Sequence, residues 1–123
     1  MDYGRVIDRL IARQLRDWDL AGVNYAALAA SVTRSLSLGE SVITLQYNPE
    51  RRRSSAAVLD KKSLARRRCF LCSEYQPAKQ KAVLWGSHYK IQVNPYPIFS
   101  RHLTIADLNH EPQRIADRVG DML

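Results

Sequence analysis

The sequence predicts an α+β fold, in which an antiparallel sheet carries helices on one side. Apolar side chains recur at helical spacing over most of residues 1–40, and they alternate with a period of two in short segments of residues 41–123. The length of 123 residues suits one domain with a single modest core. We therefore expect a single domain over residues 1–123, with a helical N-terminal part at 1–40 and a sheet-rich remainder.

Two helices are expected in the N-terminal part. The first covers residues 4–18, and the second covers 23–36, with Gly39 at the position where a stop is expected. The apolar face of the first helix consists of Val6, Ile7, Leu10, Ile11, Leu15 and Trp18. That of the second consists of Tyr25, Leu28, Val32 and Leu36.

Residues 41–47 alternate as a strand, which Asn48-Pro49 should end. A basic loop over 50–57 and a short helix over 61–67, capped by Asp60, should follow.

Two further strands, 82–85 and 89–93, are joined through Gly86-Ser87. In 89–93 the alternation predicts that one face is buried. A strand at 102–105 places His102 and Thr104 on one face. Pro112 suits the first position of a final helix over 112–122.

The composition, 46% hydrophobic and 25% charged, is that of a soluble globular protein. No apolar stretch approaches the roughly 20 residues of a membrane span, and no signal peptide is apparent. The two cysteines are three positions apart, which disfavours a disulfide and favours a metal or redox pair. These features predict a cytoplasmic protein without a membrane partner.

The net charge of +7 is concentrated in one segment, residues 51–68. Its basic residues are Arg51, Arg52, Arg53, Lys61, Lys62, Arg66, Arg67 and Arg68, against the single acid Asp60. Such a segment favours an anionic partner, either nucleotide phosphates or nucleic acid; the alternative is a solvated loop.

Cys69-x-x-Cys72 has the spacing of a zinc site. His110 is the best third ligand, because it lies in a polar loop beyond a strand, and His102 and His88 are the other candidates. The redox alternative expects a thioredoxin-like βαβ context, which is not visible, and the remaining alternative is two buried thiols without a metal.

Asn94-Pro95-Tyr96-Pro97 forms a stiff turn that can hold the Asn94 amide in one pose for a ribose or a base, or can simply connect two strands. His102 could face a pocket or be a structural histidine. No Gly-rich phosphate loop and no Ser-His-Asp pattern is present.

Together these segments resemble the N-terminal half of the histidine-triad superfamily. The branch is the long-chain one, with galactose-1-phosphate uridylyltransferase, diadenosine tetraphosphate phosphorylase and GDP-hexose phosphorylases, and the nearest likeness is to a bacterial group related to those phosphorylases. The resemblance covers roughly residues 18–115. It is carried by Gln46-Tyr47-Asn48-Pro49-x-Arg51, Ser54-Ser55-Ala56, Cys69-Phe70-Leu71-Cys72, Pro77, Gln80, Asn94-Pro95-Tyr96-Pro97-Ile98-Phe99 and His102-Leu103-Thr104-Ile105.

The resemblance implies a partial histidine-triad-like fold over 41–123, with the basic segment 50–68 as a loop, and a nucleotide or nucleotide-sugar ligand. Cys69, Cys72 and His110 would hold zinc. Phe70 and Leu71 would line the base pocket, Asn94 would hold the ribose, Arg51 would approach phosphates and His102 would support the active site.

The chain departs from the family pattern in two ways. Ser100-Arg101 and Ala106 stand where the family often has prolines around the strand histidine. No histidine follows His110, so residues 1–123 lack the family's His-x-His nucleophile motif and its fourth zinc ligand.

The expectation is therefore an N-terminal fragment of a nucleotidyltransferase or phosphorylase that is inactive alone. Its partner would be the remaining half or a second copy, bound through an exposed sheet edge. The alternative is a small zinc-stabilised module that contacts RNA or a protein through residues 51–68.

Overall fold

The computed structural model describes residues 2–52 and 60–123, and these form an α+β fold with two antiparallel sheets. The helices are α1 (Tyr3–Asp17), α2 (Asp19–Ala29), α3 (Lys61–Arg66) and α4 (Val119–Met122). The strands are β1 (Val32–Leu38), β2 (Ser41–Tyr47), β3 (Ala82–Trp85), β4 (Tyr89–Val93) and β5 (Leu103–Asp107). Single 3₁₀ turns occur at Pro49–Arg51, Ser73–Tyr75 and Ala116–Arg118. None of the described helices is both long and apolar enough to cross a membrane.

The core lies between α1, α2 and the second sheet. Ile7 and Leu10 on α1 pack with Tyr25 of α2 and with Ile91 and Val93 of β4. The first helix begins where the Asp2 carboxylate accepts a hydrogen bond from the Arg5 N–H at 3.2 Å. The predicted helix 4–18 is thus confirmed, and its apolar stripe makes the core contact.

The second predicted helix, 23–36, is wrong in its C-terminal half. It ends at Ala29, and Val32–Leu38 forms β1, so residues 1–40 are not wholly helical. The apolar residues of 32–38 fit a period of two as well as a helical period. Pairing with β2 decides in favour of the strand. Seven residues of β1 pair with β2, and Leu36 lies opposite Ile43.

The β1–β2 hairpin has an apolar face and a polar face, and every residue in it is exposed. The apolar face carries Val32, Leu36, Leu38, Ile43, Leu45 and Tyr47. Thr33 and Gln46, on the polar face, line a groove against α2 and residues 98–100. Gly39 adopts φ 61° in the turn, a conformation that favours glycine.

The second sheet has the order β3-β4-β5 and two distinct faces. Ile91 opposes Val83 and Ile105, so all three lie on one face, and Ile91 and Val83 on that face pack in the core with α1, whereas Ile105 is exposed. Lys90 and Gln92 lie on the other face, with Thr104 opposite Gln92. The predicted strands 82–85 and 89–93 are confirmed, whereas the strand predicted at 102–105 begins at Leu103 and extends to Asp107.

The C-terminal segment differs from the helix expected over 112–122. A 3₁₀ turn at Ala116–Arg118 leads into the four-residue α4. Side-chain contacts, rather than the backbone hydrogen bonds of a long helix, fix this segment. Arg118 pairs with Asp107 at 3.1 Å, and the Tyr89 hydroxyl donates to Asp121.

Part of the basic segment lies within the described residues. The predicted Asp60 cap is confirmed, since its carboxylate accepts from the N–H groups of Lys62 and Ser63, both at 3.0 Å. The loop expected over 50–57 falls mostly on 53–59, outside the described residues, as does the stretch Ser54-Ser55-Ala56.

Candidate functional site

The two cysteines and His110 converge on one point. The Cys72 N–H donates to the Cys69 carbonyl at 3.1 Å, which closes a tight turn and brings the two thiols together. Cys72 Sγ lies 3.2 Å from His110 Nδ1, and the ligand atoms of all three residues lie within 4.8 Å of one another. We call residues 69–76, which carry this turn, the knuckle. His88 and His102 lie outside this cluster.

The loop that presents His110 is held by several bonds. The Leu108 N–H donates to the His88 carbonyl at 2.8 Å, and the Asn109 N–H donates to the Asp107 carboxylate at 2.9 Å. The Arg118 guanidinium bridges Asp107 and Glu111, the residue that follows His110, at 3.1 and 3.0 Å. His110 is exposed, so these neighbours rather than burial position its ring.

The two thiols have opposite pKa shifts. Burial opposes ionisation of Cys69, but hydrogen bonds from the Leu71 N–H, the Cys72 thiol and N–H, and His110 lower its pKa below the usual value. Burial raises the pKa of Cys72, and the negative charges of Cys69 and Glu74 raise it further, while the Lys90 charge lowers it. Two thiols that share one site ionise in this stepwise manner, because the first thiolate repels the second.

This donor set fits zinc. Two cysteine sulfurs and one imidazole nitrogen are the soft and borderline ligands that zinc prefers. Within residues 2–52 and 60–123 no fourth Cys, His, Asp or Glu joins the cluster. Three protein ligands leave a position for water or for a group from elsewhere.

A buried polar network joins the knuckle to β4. Lys90 and Gln92 are only 3% and 2% exposed, so the prediction that β4 buries one face alone is wrong. The Lys90 ammonium donates to Ser73 Oγ at 2.9 Å and to Gln76 Oε1 at 3.2 Å. The Gln76 amide in turn donates to Gln92 Oε1 at 2.8 Å and to the Phe70 carbonyl at 3.0 Å. The knuckle thus covers the second face of the sheet.

The proline turn beyond β4 is anchored by its own asparagine. Asn94 Oδ1 accepts from the Tyr96 N–H at 2.9 Å, and Asn94 Nδ2 lies 3.4 Å from Thr104 Oγ1. Counting the bonds within the described part of the chain, one N–H and one acceptor lone pair of the amide remain for a ligand. Thr104 lies opposite Gln92, which the knuckle residue Gln76 contacts, so the turn and the knuckle meet the same face of the sheet. Gln92 and Asn94 are about 7 Å apart along the chain.

Helix α2 supplies two anchors that the sequence reasoning missed. Asn24 Nδ2 donates to the Pro95 carbonyl at 2.7 Å, and the Tyr25 hydroxyl donates to the His102 carbonyl at 3.0 Å. Burial raises the pKa of Tyr25, which keeps this donor protonated. A polar Asn24 beside Tyr25, within the apolar stretch 20–29 of the helix, was the signal in the sequence.

His102 closes the turn from its other end. Its Nδ1 accepts from the Ile98 N–H at 3.1 Å, and the Phe99 ring meets it edge-on. Burial lowers the pKa of His102, and the nearby Arg51 charge lowers it further, so the ring is neutral at pH 7. His102 thus stabilises the turn through its bond with Ile98 and also lies near the positive charge of Arg51.

Arg51 reaches the same turn, because its guanidinium donates to the Tyr96 carbonyl at 2.7 Å. Thus Arg51, Asn94 and His102 form one cluster, and the three candidate metal ligands form another. Phe70 at the knuckle is 76% exposed, and Leu71 is half-buried. The Arg68 guanidinium lies 5.4 Å from the centre of the Tyr75 ring, so a basic residue and an aromatic residue meet at the knuckle.

Both clusters lie in a region that is matched by a known family. Residues 10–123 match the family described as a domain of unknown function, DUF4922. The chain belongs to this family. No curated protein and no solved structure matches the chain significantly. The DUF4922 match includes α2, the knuckle, the proline turn and His110, so the site described above is built entirely from matched residues. The resemblance to the histidine-triad superfamily stays a prediction.

Proposed function

We propose that this chain is the zinc-organised, nucleotide-binding part of a nucleotidyltransferase or nucleotide phosphorylase. The observation that carries the proposal is the placement of two clusters on one sheet face. The ligand atoms of Cys69, Cys72 and His110 lie within 4.8 Å of one another at one end, and the Asn94–Thr104 contact lies at the other.

Each of the two clusters would bind a different part of the nucleotide. At the knuckle, the exposed Phe70 and its neighbour Leu71 offer an apolar surface for a base. At the turn, the Asn94 amide retains one donor and one acceptor for ribose hydroxyls. Arg51 places a positive charge beside the neutral His102, and this charge suits the phosphates.

The metal would organise the base end. Zinc bound by the two thiolates and the imidazole would tie the knuckle to the loop after β5 and fix the position of Phe70. Purified protein should contain about one zinc per chain, and Cys72→Ser and His110→Ala should lose most of it. His88→Ala is the matched control, because His88 is an exposed histidine outside the cluster. Equal zinc in all four proteins would contradict the metal site.

Nucleotide binding is tested by calorimetry with UDP-glucose, GDP-mannose and diadenosine tetraphosphate. Phe70→Ala should weaken the tightest of these about tenfold or more, since stacking on an aromatic ring is worth about 1–3 kcal/mol per base. Tyr47→Ala, which removes an exposed aromatic ring from the hairpin, should have no effect. Absence of binding to all three ligands by the zinc-loaded protein would refute the nucleotide assignment.

A second candidate function has its own supporting observation. Arg68 packs over Tyr75 beside the exposed Phe70, which is a pairing of cation and aromatic rings that suits single-stranded RNA. In that case a single-stranded oligonucleotide should bind with a steep salt dependence, and none of the three nucleotides should bind. Arg68→Ala should reduce that salt dependence.

A further inference from the structure

Lys90 is a buried cation without a carboxylate partner. The residue is 3% exposed, and its ammonium donates to Ser73 Oγ and Gln76 Oε1, both neutral. Within the described ranges 2–52 and 60–123, no carboxylate oxygen lies within ion-pair distance of it. Burial of an unpaired charge is costly, so a negative group is expected nearby.

The groups that can supply this negative charge are the thiolates of the knuckle. Ser73, which accepts the Lys90 hydrogen bond, directly follows Cys72 in the chain. With a metal ion bound, Cys69 and Cys72 would both be thiolates, and the bond to Ser73 holds the Lys90 ammonium beside the residue that follows Cys72. The ammonium has three N–H groups, and the two bonds to Ser73 and Gln76 leave one directed donor.

We propose that Lys90 is a positioning residue of the metal centre, which offsets the thiolate charge of Cys72 and fixes the knuckle on the sheet through Ser73 and Gln76. The inference rests on the proposed zinc binding and adds a residue that lies outside the ligand set. Groups that contact metal ligands from outside commonly change metal affinity by about 10–100-fold.

Glu74, two positions after Cys72 in the chain, carries a charge opposite to that of Lys90. Glu74 is exposed, while Lys90 is buried. Water therefore screens the Glu74 charge more strongly than the Lys90 charge, and Glu74→Gln serves as the control for a solvated charge beside the knuckle.

The test is zinc affinity, measured by chelator competition at one fixed pH on the full chain. Lys90→Met keeps the length of the side chain and removes its charge, and it should weaken zinc binding about tenfold. Lys90→Arg should restore at least part of the affinity. Lys81→Met removes an exposed side chain whose ammonium donates to the Ala78 carbonyl, and it should leave the affinity unchanged. Glu74→Gln should leave zinc binding unchanged or make it tighter.

Cobalt substitution adds a readout that a packing defect alone would not change. The sulfur-to-cobalt charge-transfer band should shift in Lys90→Met and return toward its wild-type position in Lys90→Arg. Unchanged affinity and an unchanged band in Lys90→Met would overturn the proposal. Equal weakening by Glu74→Gln and Lys90→Met would also overturn it, because removal of a charge of either sign would then have the same effect.

The outcomes separate this inference from the proposed function. If the wild-type protein binds neither zinc nor cobalt, the metal centre itself is refuted. If it binds both metals and Lys90→Met binds them as tightly, only the role of Lys90 is refuted.

Discussion

Gln14 is the clearest stabilising contact between the N-terminal helices and the sheet. Its side chain is completely buried, and both ends of its amide bond to the loop before β3. The Nε2 group donates to the Lys79 carbonyl at 3.0 Å, and Oε1 accepts from the Lys81 N–H at 2.8 Å. One side chain thus satisfies two backbone groups that are more than sixty residues away.

Replacement of Gln14 by Leu fills a similar volume but removes both bonds. Each backbone group left without a partner costs about 1–3 kcal/mol, so the substitution has an upper limit of about 6 kcal/mol. Lys79 and Lys81 are exposed residues, and water can reach part of their backbone. We therefore expect a loss of about 2–3 kcal/mol, a large part of the roughly 5–15 kcal/mol that stabilises a domain of this size.

Urea unfolding, followed by tryptophan fluorescence and circular dichroism, measures this loss. The midpoint should fall while the denaturant slope stays the same. Arg9→Leu places the same residue on the exposed side of α1 and should change the stability by less than about 0.5 kcal/mol. A Gln14→Leu protein as stable as Arg9→Leu would refute the claim that the amide joins helix and sheet.

Three further predictions concern the turn and the hairpin. Burial and the Arg51 charge lower the pKa of His102, so the unfolded chain binds a proton more readily than the folded chain does. The free energy of unfolding should therefore fall as the pH drops below about 6.5. In urea titrations, His102→Gln should remove that part of the pH dependence. Asn24→Ala removes the bond to the Pro95 carbonyl and should destabilise the protein by about 1 kcal/mol, with a matching drop in thermal midpoint; no drop would show that the bond is dispensable. Gly39→Ala forces φ 61° on an alanine and should lower the hydrogen-exchange protection of the hairpin amides by about 1 kcal/mol. The global unfolding midpoint should stay constant, because every hairpin side chain is exposed. A lowered global midpoint would show that the hairpin does not open independently of the rest of the fold.

Local patterns in the sequence were sufficient for much of the fold. The amphipathic stripe of α1 and the alternation in 41–47, 82–85 and 89–93 each match an element with little change in its bounds. The strand at 32–38 was missed because Val32 and Leu36 are four apart, a spacing that serves a helix and a strand equally well. The hydrogen bonds that decide the matter come from β2, which lies outside the window 23–36 that predicted the helix.

The structure brings together Cys69, Cys72 and His110, the three residues that the sequence singled out as candidate metal ligands. The surroundings of the cluster could not be predicted. Lys90 alternates with apolar residues, which is typical of a solvated face, and only the knuckle that folds over it makes it buried. Asn24 and Tyr25 likewise bond to residues more than seventy positions away, and a sequence pattern contains no information on such pairs.

The contact between Cys72 and His110 also has a consequence for the topology of the chain. The two residues are 38 positions apart, and the segment between them contains β3, β4 and β5. A metal ion bound by both residues would link them, and the chain segment closed by that link would contain all three strands of the sheet. By the loop-closure relation used for disulfides, a cross-link of that span removes about 4 kcal/mol of entropy from the unfolded chain. An ion bound at the surface would thus act on the sheet as a reversible cross-link, which is released by chelation or by acid.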